Sequence, residues 1–274
     1  MRTKNSWILL TIVLFSCKKE KSTVSEPLLA GAAMPVALLK DVVIKNLPSP
    51  YYHFEYKADS TISLVSFADN FKRYEVQYSA GRISELRNNI AGLEEKVQYN
   101  YDNAGKIISV NYLDLLGAVY AKVSFSYEGK MLIKLERQRK SGSDFVINKT
   151  MSFLYYADGN LKEIIDHRPA VVGVQDESTV TDRFEQYDKG INVDGFTLIH
   201  NEFFDHLVLL PGIHFQKNNP VKEILTSNEL SYETTYAYSY NEKNLPVTKS
   251  GDLFFTAGPN TGQRFQTSSI FSYY

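Results

Sequence analysis

The sequence has one cysteine and one tryptophan, and both lie within its first 17 of 274 residues. A lone thiol excludes a disulfide framework. The strong catalytic signatures are missing too: there is no Gly-x-Gly-x-x-Gly, phosphate loop, Gly-x-Ser-x-Gly or His-Glu-x-x-His. We therefore predict a protein that is not an enzyme and that uses no cofactor.

An excess of charge of one sign is also missing. The chain carries 30 basic and 31 acidic residues, for a formal net charge of −1. A nucleic-acid-binding protein would need a basic surplus or stripe, so we predict no nucleic-acid partner. The hydrophobic fraction of 43% is that of a globular chain rather than a disordered one.

The N-terminal segment is patterned for export. Arg2 and Lys4 precede an apolar run over residues 7–15, which is too short to span a bilayer as a helix. The following Leu-Phe-Ser-Cys17 looks like a bacterial lipobox, in which cleavage precedes a cysteine that carries lipid. We predict a signal peptide at 1–16, an acylated Cys17 with a flexible tether over 17–35, and one β-rich repeat domain at 36–274. The alternative is an ordinary secretory signal with an incidental cysteine.

Acylation of Cys17 makes the membrane a partner of the chain, since buried acyl chains supply about 0.8 kcal/mol per CH₂ group. We expect a lipid-anchored protein of the cell envelope, at the outer membrane, on either its periplasmic or its external face. The tether is not acidic enough to decide between the two faces.

Aromatic residues are abundant, with 19 Tyr and 16 Phe, and they follow a repeat. In each copy a strand ends at a tyrosine, a polar turn follows, and an apolar residue begins the next strand. The clearest copy is 101–107, where Asp and Gly supply the turn. The repeat residues are Tyr56, Tyr78, Gly81, Tyr101, Asp102, Gly105, Tyr127, Gly129, Tyr156, Gly159, Tyr240 and, in a degenerate copy, Tyr187 and Gly190.

This repeat predicts an all-β fold, a large antiparallel meander of successive hairpins. The outgoing strands carry charges, so one face of the sheet must meet solvent. We expect a twisted or curled, half-barrel-like sheet. A membrane-spanning barrel is disfavoured, because these strands lack a continuous lipid-facing band and a lipid anchor makes spanning unnecessary. The tyrosines are predicted to be structural, with hydroxyls in water, although an aromatic row could also bind a sugar or a protein.

The phrases Tyr-Asp-x-x-Gly-x-Ile at 101–107, Tyr-Ala-Asp-Gly-x-Leu at 156–161 and Tyr-Asp-x-Gly at 187–190 resemble the YD repeats of RHS-type bacterial surface proteins. With the lipobox and the Asn-Asn segment at 216–224, the layout resembles an uncharacterised lipoprotein family of Bacteroidetes-type bacteria. The resemblance implies no activity and no catalytic residues. About seven repeats are too few, on this comparison, to roll into a shell that encloses a cargo.

The repeat fails between residues 196 and 221. Apolar residues at helical spacing predict one short helix near 202–210, which Pro211 and Gly212 end; a buried strand is the alternative. Glu202 and His206, four apart on such a helix, are weak metal candidates, with His200 and His214 nearby. Surface histidines are the simpler explanation.

Carboxylate pairs offer little for catalysis. The neighbours Asp176 and Glu177, like Glu94 and Glu95, would point to opposite faces of a strand instead of across a cleft. We therefore predict a lipid-anchored cell-envelope β-sheet protein with a non-catalytic binding or structural role. The alternatives are a hydrolase or metal-dependent site around 200–214 and an adhesin-like module that binds a surface glycan or a protein. The segment 196–221 is where we expect any chemistry to lie.

Overall fold

The computed structural model describes residues 37–88, 90–91, 95–170, 176–193 and 208–274, and within these ranges every regular element is a β-strand. The predicted signal peptide at 1–16, Cys17 and the tether up to residue 35 lie outside the described residues, as do Glu202 and His206. The sixteen strands are β1 (Leu39–Ile44), β2 (Tyr52–Tyr56), β3 (Ile62–Phe67), β4 (Lys72–Ser79), β5 (Arg82–Asn88), β6 (Glu95–Tyr101), β7 (Ile107–Leu113), β8 (Val119–Glu128), β9 (Met131–Ser141), β10 (Asp144–Tyr155), β11 (Leu161–Arg168), β12 (Ser178–Tyr187), β13 (Pro220–Ser227), β14 (Ser231–Tyr240), β15 (Pro246–Ala257) and β16 (Arg264–Tyr273).

The strands form because apolar and polar residues alternate along them. In β4, Tyr74 and Val76 are buried while Arg73 and Gln77 are exposed. Strand β6 repeats the pattern, with Val97 and Tyr99 buried between exposed polar neighbours. Successive side chains of a strand point to opposite faces, so this alternation gives each strand one apolar face and one polar face.

The sheet is a fully closed barrel and not the twisted or curled, half-barrel-like sheet that the sequence predicted. Each strand pairs antiparallel with its chain neighbours, and β1 pairs with β16, where Val42 lies opposite Phe271. An open sheet would leave two rows of unpaired backbone groups at its edges, and this pairing removes both rows. The repeats therefore do suffice to enclose space.

The barrel has two ends, which we name by their turns. At the tyrosine end lie the turns that the sequence repeat predicts, including 102–106, and the described parts of the connection between β12 and β13, which are 188–193 and 208–219. At the distal end lie the other turns, such as 114–118 and 228–230.

The hairpins at the tyrosine end share one geometry. In the clearest copy Asn100 pairs with Ser109 and Tyr101 with Ile107, which leaves Ile108 as a bulge on the outgoing strand. Asp102 accepts a hydrogen bond from the amide of Lys106 at 2.8 Å, and Gly105 takes a φ of +82°. The same register shift occurs at the turns after Glu55, Gln77, Ser126, Leu154 and Ser239.

Apolar side chains and a segment of the chain itself fill the barrel interior at the tyrosine end. A sixteen-stranded barrel is wide enough to leave a channel if side chains alone line it. Here Val208, Leu209 and Leu210, from the β12–β13 connection, are 2%, 0% and 0% exposed and belong to the main core cluster. The ring of Phe215 stacks on Phe153 of β10, with centroids 4.8 Å apart.

The helix predicted near 202–210 is not confirmed. Residues 202–207 lie outside the described residues, and Val208 to Leu210 are not helical, because Leu209 forms a β-bridge. The side chain of Tyr99 binds both backbone polar groups of Leu209: its hydroxyl donates to the Leu209 carbonyl and accepts from the Leu209 amide, each at 3.0 Å. No helix that could cross a membrane occurs in the parts of the chain that the structure describes.

Candidate functional site

Tyrosine hydroxyls tie the strands together around the tyrosine end. Each donates to a backbone carbonyl of the first or second residue of the preceding strand; Tyr101 donates to Ile83 at 2.7 Å, and Tyr127 donates to Ile107 at 2.8 Å. The donor and acceptor pairs are Tyr56 with Leu39, Tyr78 with Ile62, Tyr101 with Ile83, Tyr127 with Ile107, Tyr155 with Leu132, Tyr187 with Leu161, Tyr238 with Pro220 and Tyr273 with Pro246. We call these donors the tyrosine ring.

The strand register explains why tyrosine is needed at these positions. The ladder between β7 and β8 ends at the pair Ser109 and Ser124, so the carbonyl of Ile107 lies beyond it. Tyr127, three residues after Ser124, reaches back to that carbonyl. A buried carbonyl without a partner is costly, and the phenol supplies the missing donor. Burial raises the pKa of Tyr101 to about 12, so its hydroxyl keeps the proton that it donates.

The structure places most of the predicted repeat residues at this end. Tyr156 and Tyr240 do not join the ring; their neighbours Tyr155 and Tyr238 take those places. Tyr156 instead donates to the carbonyl of Phe184 at 3.0 Å, and Tyr240 donates to Asp188. The turn glycines Gly81, Gly105, Gly129 and Gly159 have φ values of +74°, +82°, +58° and +87°.

Gly190 has a different reason to be glycine. A Cβ atom at this position would lie 2.3 Å from the ring of Tyr240, so no other residue fits there without a shift. The sequence predicted that the tyrosine hydroxyls would reach water. In the structure the hydroxyls of the tyrosine ring bind backbone carbonyls instead. The tyrosine ring therefore has a structural role, which is to join neighbouring strands at this end of the barrel.

The outer face of the barrel is polar and carries ion pairs between strands. Lys222 of β13 contacts Glu185 of β12 at 3.8 Å and Glu233 of β14 at 3.2 Å. Arg183 and Glu163 form another such pair, at 3.4 Å. Membrane-spanning barrels place apolar residues outward and polar residues inward. Along the described strands the arrangement is the opposite: the apolar core lies inside the barrel and the ion pairs lie outside.

The distal end contains a cavity of about 420 Å³ between β10 and β14. Its apolar wall includes Met151, Ile164 and Leu225, and the turn between β13 and β14 contributes Asn228 and Glu229. The lining also holds the polar and charged residues Asp166, Arg168, Glu177, Ser178, Thr179, Asp182, Glu223 and Ser227. A mixed, concave surface of this size falls in the range of small-molecule sites, about 300–1,000 Å³.

A pair of carboxyl groups is the main electrostatic feature of the cavity. The pKa of Asp182 is raised to about 8. Burial is the largest cause, and the adjacent Glu223 adds to it by charge repulsion and a shared hydrogen bond. Two carboxyl groups can share a hydrogen bond only if one holds a proton. Glu223 also accepts a hydrogen bond of 2.5 Å from the Tyr236 hydroxyl. Burial and the neighbouring Glu223 therefore both favour the protonated form of Asp182.

A third carboxylate of the cavity, that of Asp166, is paired with cations. Asp166 is 6% exposed, and its carboxylate lies 3.3 Å from the ammonium of Lys149 and 3.2 Å from the guanidinium of Arg168. Lys149 is itself 2% exposed. Buried ions of opposite charge that contact each other need no further counter-ion, so Asp166 is a compensated charge.

The opposite wall of the barrel holds a buried carboxylate that is enclosed by donors. Glu95, 6% exposed, accepts hydrogen bonds from the hydroxyls of Tyr74, at 2.5 Å, and Tyr120, and lies 3.5 Å from the ammonium of Lys72. Desolvation and the charge of Glu95 raise the pKa of Tyr120, which therefore stays a donor. This group is a satisfied structural network.

No protein-family model and no curated protein sequence matches the chain. Solved structures do resemble it. A porin-like protein from Bacteroides uniformis aligns with a TM-score of 0.56 at 11% identity, over 81% of this chain and 89% of that chain. A porin-like protein from Bacteroides vulgatus aligns with a TM-score of 0.55 at 15% identity, over 86% of this chain and 99% of that chain. The fold is shared with both.

The cavity was not predicted from the sequence, although its residues carry a usable signal. Val180 and Phe184 are apolar and in phase on β12, so Asp182 between them must also face inward. The predicted location for chemistry, 196–221, is instead a segment whose described part packs at the tyrosine end. Among the described residues no group of His, Cys, Asp and Glu side chains is arranged to hold a metal ion.

Proposed function

We propose that this chain is a lipid-anchored barrel of the bacterial cell envelope, with its barrel in water, that binds a small ligand in the distal cavity. The role is non-enzymatic, and the fold serves as a rigid wall around the site. The single observation that carries the proposal is the reversed polarity of the barrel, with its apolar core inside and its ion pairs outside.

The outer ion pairs argue against insertion into lipid. Lys222 lies on β13, between β12 and β14, and contacts an acidic residue on each of these strands. In a spanning barrel these charges would face lipid, where an Arg or Lys costs about 2–4 kcal/mol at the bilayer midplane and about 0–1 kcal/mol near the interfaces. The packed segment around Leu209 also argues against a conducting pore, because it fills the interior at the tyrosine end. Attachment then falls to the predicted lipid on Cys17.

The test is membrane attachment with and without the lipid. In one variant, residues 1–16 are replaced by an ordinary cleavable secretion signal and Cys17→Ser removes the acylation site. The native chain is expected in the membrane fraction and in the detergent phase of a Triton X-114 partition. The variant is expected in the aqueous phase, as a folded protein with the far-ultraviolet circular dichroism of a β-sheet.

A folded variant that stays in the membrane fraction after carbonate washing would overturn the proposal and favour a spanning barrel. A native chain that carries no lipid by mass spectrometry would remove the anchor but leave the polarity argument in place. Conductance in planar bilayers provides a second criterion: a stable pore formed by the native chain contradicts a filled interior.

A further inference from the structure

The distal cavity combines apolar lining residues with a pair of acidic residues, Asp182 and Glu223. Met151, Ile164 and Leu225 are apolar residues of its lining, and the strand register places Ile164 and Leu225 on either side of Asp182. Five lining residues are acidic and one, Arg168, is basic. Asp166 is compensated by Lys149 and Arg168, so the remaining interior negative charge is centred on Asp182 and Glu223.

One acceptor atom of this pair has no hydrogen-bond partner. The Oδ1 atom of Asp182 is buried and makes no hydrogen bond. Native proteins pair nearly all buried polar atoms, so an unpaired acceptor in the wall of a cavity marks a place where a donor from a ligand fits.

We propose that the cavity binds an organic cation, whose ammonium or guanidinium group lies against Asp182 and Glu223 and whose apolar part lies against Met151, Ile164 and Leu225. This inference rests on the proposed function and specifies the ligand class. A cation with several N–H donors supplies both the charge and the hydrogen bonds that the pair lacks. An anion would meet repulsion, because five of the six charged residues that line the cavity are acidic.

Binding of a cation is coupled to the proton that the acidic pair shares. A ligand charge placed beside Asp182 favours its ionised form and expels this proton. The groups that face Asp182 are Asp166 and Arg168 on β11, Glu177 before β12, Glu223 on β13, Glu229 in the following turn, Tyr232 and Tyr236 on β14 and Lys249 on β15. Lys249 lowers the pKa of Asp182 and lies 3.9 Å from the centroid of the Tyr236 ring. Affinity for a cation should therefore rise as the pH approaches and passes 8, the value about which Asp182 titrates.

The experiment compares three probes of equal length on the purified full chain: n-hexylammonium, n-hexanol and n-hexanoate, by isothermal titration calorimetry. The ammonium is expected to bind at least about tenfold more tightly than the alcohol, since a hydrogen bond to a charged group exceeds a neutral one by that factor. Hexanoate is expected not to bind. Repeating the ammonium titration in buffers of different ionisation enthalpy should show proton release at pH 7.

Two variants locate the site. Asp182→Asn and Glu223→Gln keep shape and hydrogen-bonding capacity but remove charge, and each is expected to weaken ammonium binding about tenfold and abolish proton release. Asp252→Asn, on the outer face beside Arg264, is the matched control and should change neither. Circular dichroism and the urea midpoint verify that each variant is folded.

The outcomes separate this inference from the proposed function. Equal or tighter binding of hexanol, or ammonium binding that Asp182→Asn leaves unchanged, overturns the cationic ligand while the envelope barrel stands. Failure of all three probes to bind at millimolar concentration overturns the cation-binding cavity. Conversely, a barrel that proves to span the membrane would overturn the proposed function even if the ammonium binds.

Discussion

Val42 in the first strand lies opposite Phe271 in the last, and this contact between the two termini of the domain closes the sheet. Both side chains belong to the interior packing, with Val42 8% exposed and Phe271 packed against the core cluster. The first and last strands therefore both contribute to the core. Loss of either terminal strand would expose two edges at once.

Closure can be tested with an engineered cross-link. Val43 and Ile270 are directly opposed on β1 and β16, and opposed residues of antiparallel strands have Cα atoms about 4.5–5.5 Å apart, within disulfide range. In a Cys17→Ser background, the double variant Val43→Cys with Ile270→Cys is expected to form a disulfide on mild oxidation, which non-reducing gels detect.

The control for the cross-link pairs Val43→Cys with Thr248→Cys. Thr248 lies opposite Ile270 on the far side, in β15, and is thus two strands, or about 10 Å, from Val43. This pair should stay reduced. Equal cross-linking of both pairs would contradict the observed register.

A second prediction concerns one member of the tyrosine ring. Tyr127→Phe removes the hydroxyl that binds the carbonyl of Ile107 and leaves that carbonyl without its donor. The expected loss is about 1–2 kcal/mol in the free energy of unfolding, measured by urea titration. Ser126→Ala, at the exposed neighbouring position, should change it by less than about 0.5 kcal/mol. Equal stability of the two variants would show that water replaces the phenol.

The interior segment gives a larger predicted effect. Leu209→Ala removes a side chain with no exposed surface from the core and should cost about 2–5 kcal/mol in unfolding free energy. Leu116→Ala, at a position that is 93% exposed, makes the same chemical change and should cost less than about 0.5 kcal/mol. Similar losses in both would mean that the segment does not pack inside the barrel.

The acidic pair predicts a pH dependence of stability. The pKa of Asp182 is about 8 in the folded chain against 3.8 as its ordinary value, so between these values the folded state holds a proton that the unfolded state has lost. The contribution of this group to stability is full below pH 3.8 and declines as the pH rises through 8. Asp182→Asn should remove this decline and stabilise the chain at pH 9 by about 1–3 kcal/mol.

The measurement for this prediction is the urea midpoint of the native chain and of Asp182→Asn at several pH values from 5 to 9. Asp252→Asn, on the outer face, serves as the control and should retain the native slope. A native slope that Asp182→Asn also retains would assign the titration to another group.

Local features of the fold could be predicted from the sequence, whereas its closure could not. Tyrosine, turn and apolar residue lie within a few positions of one another, so the hairpin around Tyr101 follows from turn chemistry and alternation. The pairing of 39–44 with 269–273 joins the two ends of the domain, and no local pattern encodes it. The same limit applies near Leu209, where apolar spacing suggested a helix but a hydroxyl on the facing wall, Tyr99, binds its backbone instead.

The register also explains the misplaced tyrosines. Strand β10 ends at Tyr155, and a second tyrosine, Tyr156, follows directly. Because Tyr156 begins the motif Tyr-Ala-Asp-Gly, the sequence pattern assigned it to the repeat. The pairing of Tyr155 with Leu161 places Tyr155 on the inward face, three residues beyond the last ladder pair at Ser152. Prediction of the cavity would also have required the strand order. Asp166, Asp182 and Glu223 come from different strands, so their proximity depends on which strands are neighbours.

The tyrosine ring makes the circumference of this barrel modular. Each link joins a hairpin to the hairpin before it, and the last and first strands together act as one further, divided hairpin. After insertion or deletion of a whole hairpin, each remaining tyrosine would still meet an equivalent carbonyl, on the hairpin that then precedes it. The bore of the barrel can therefore change in steps of two strands through tandem duplication, and the position of the cavity along the chain can change independently of how the ring is closed.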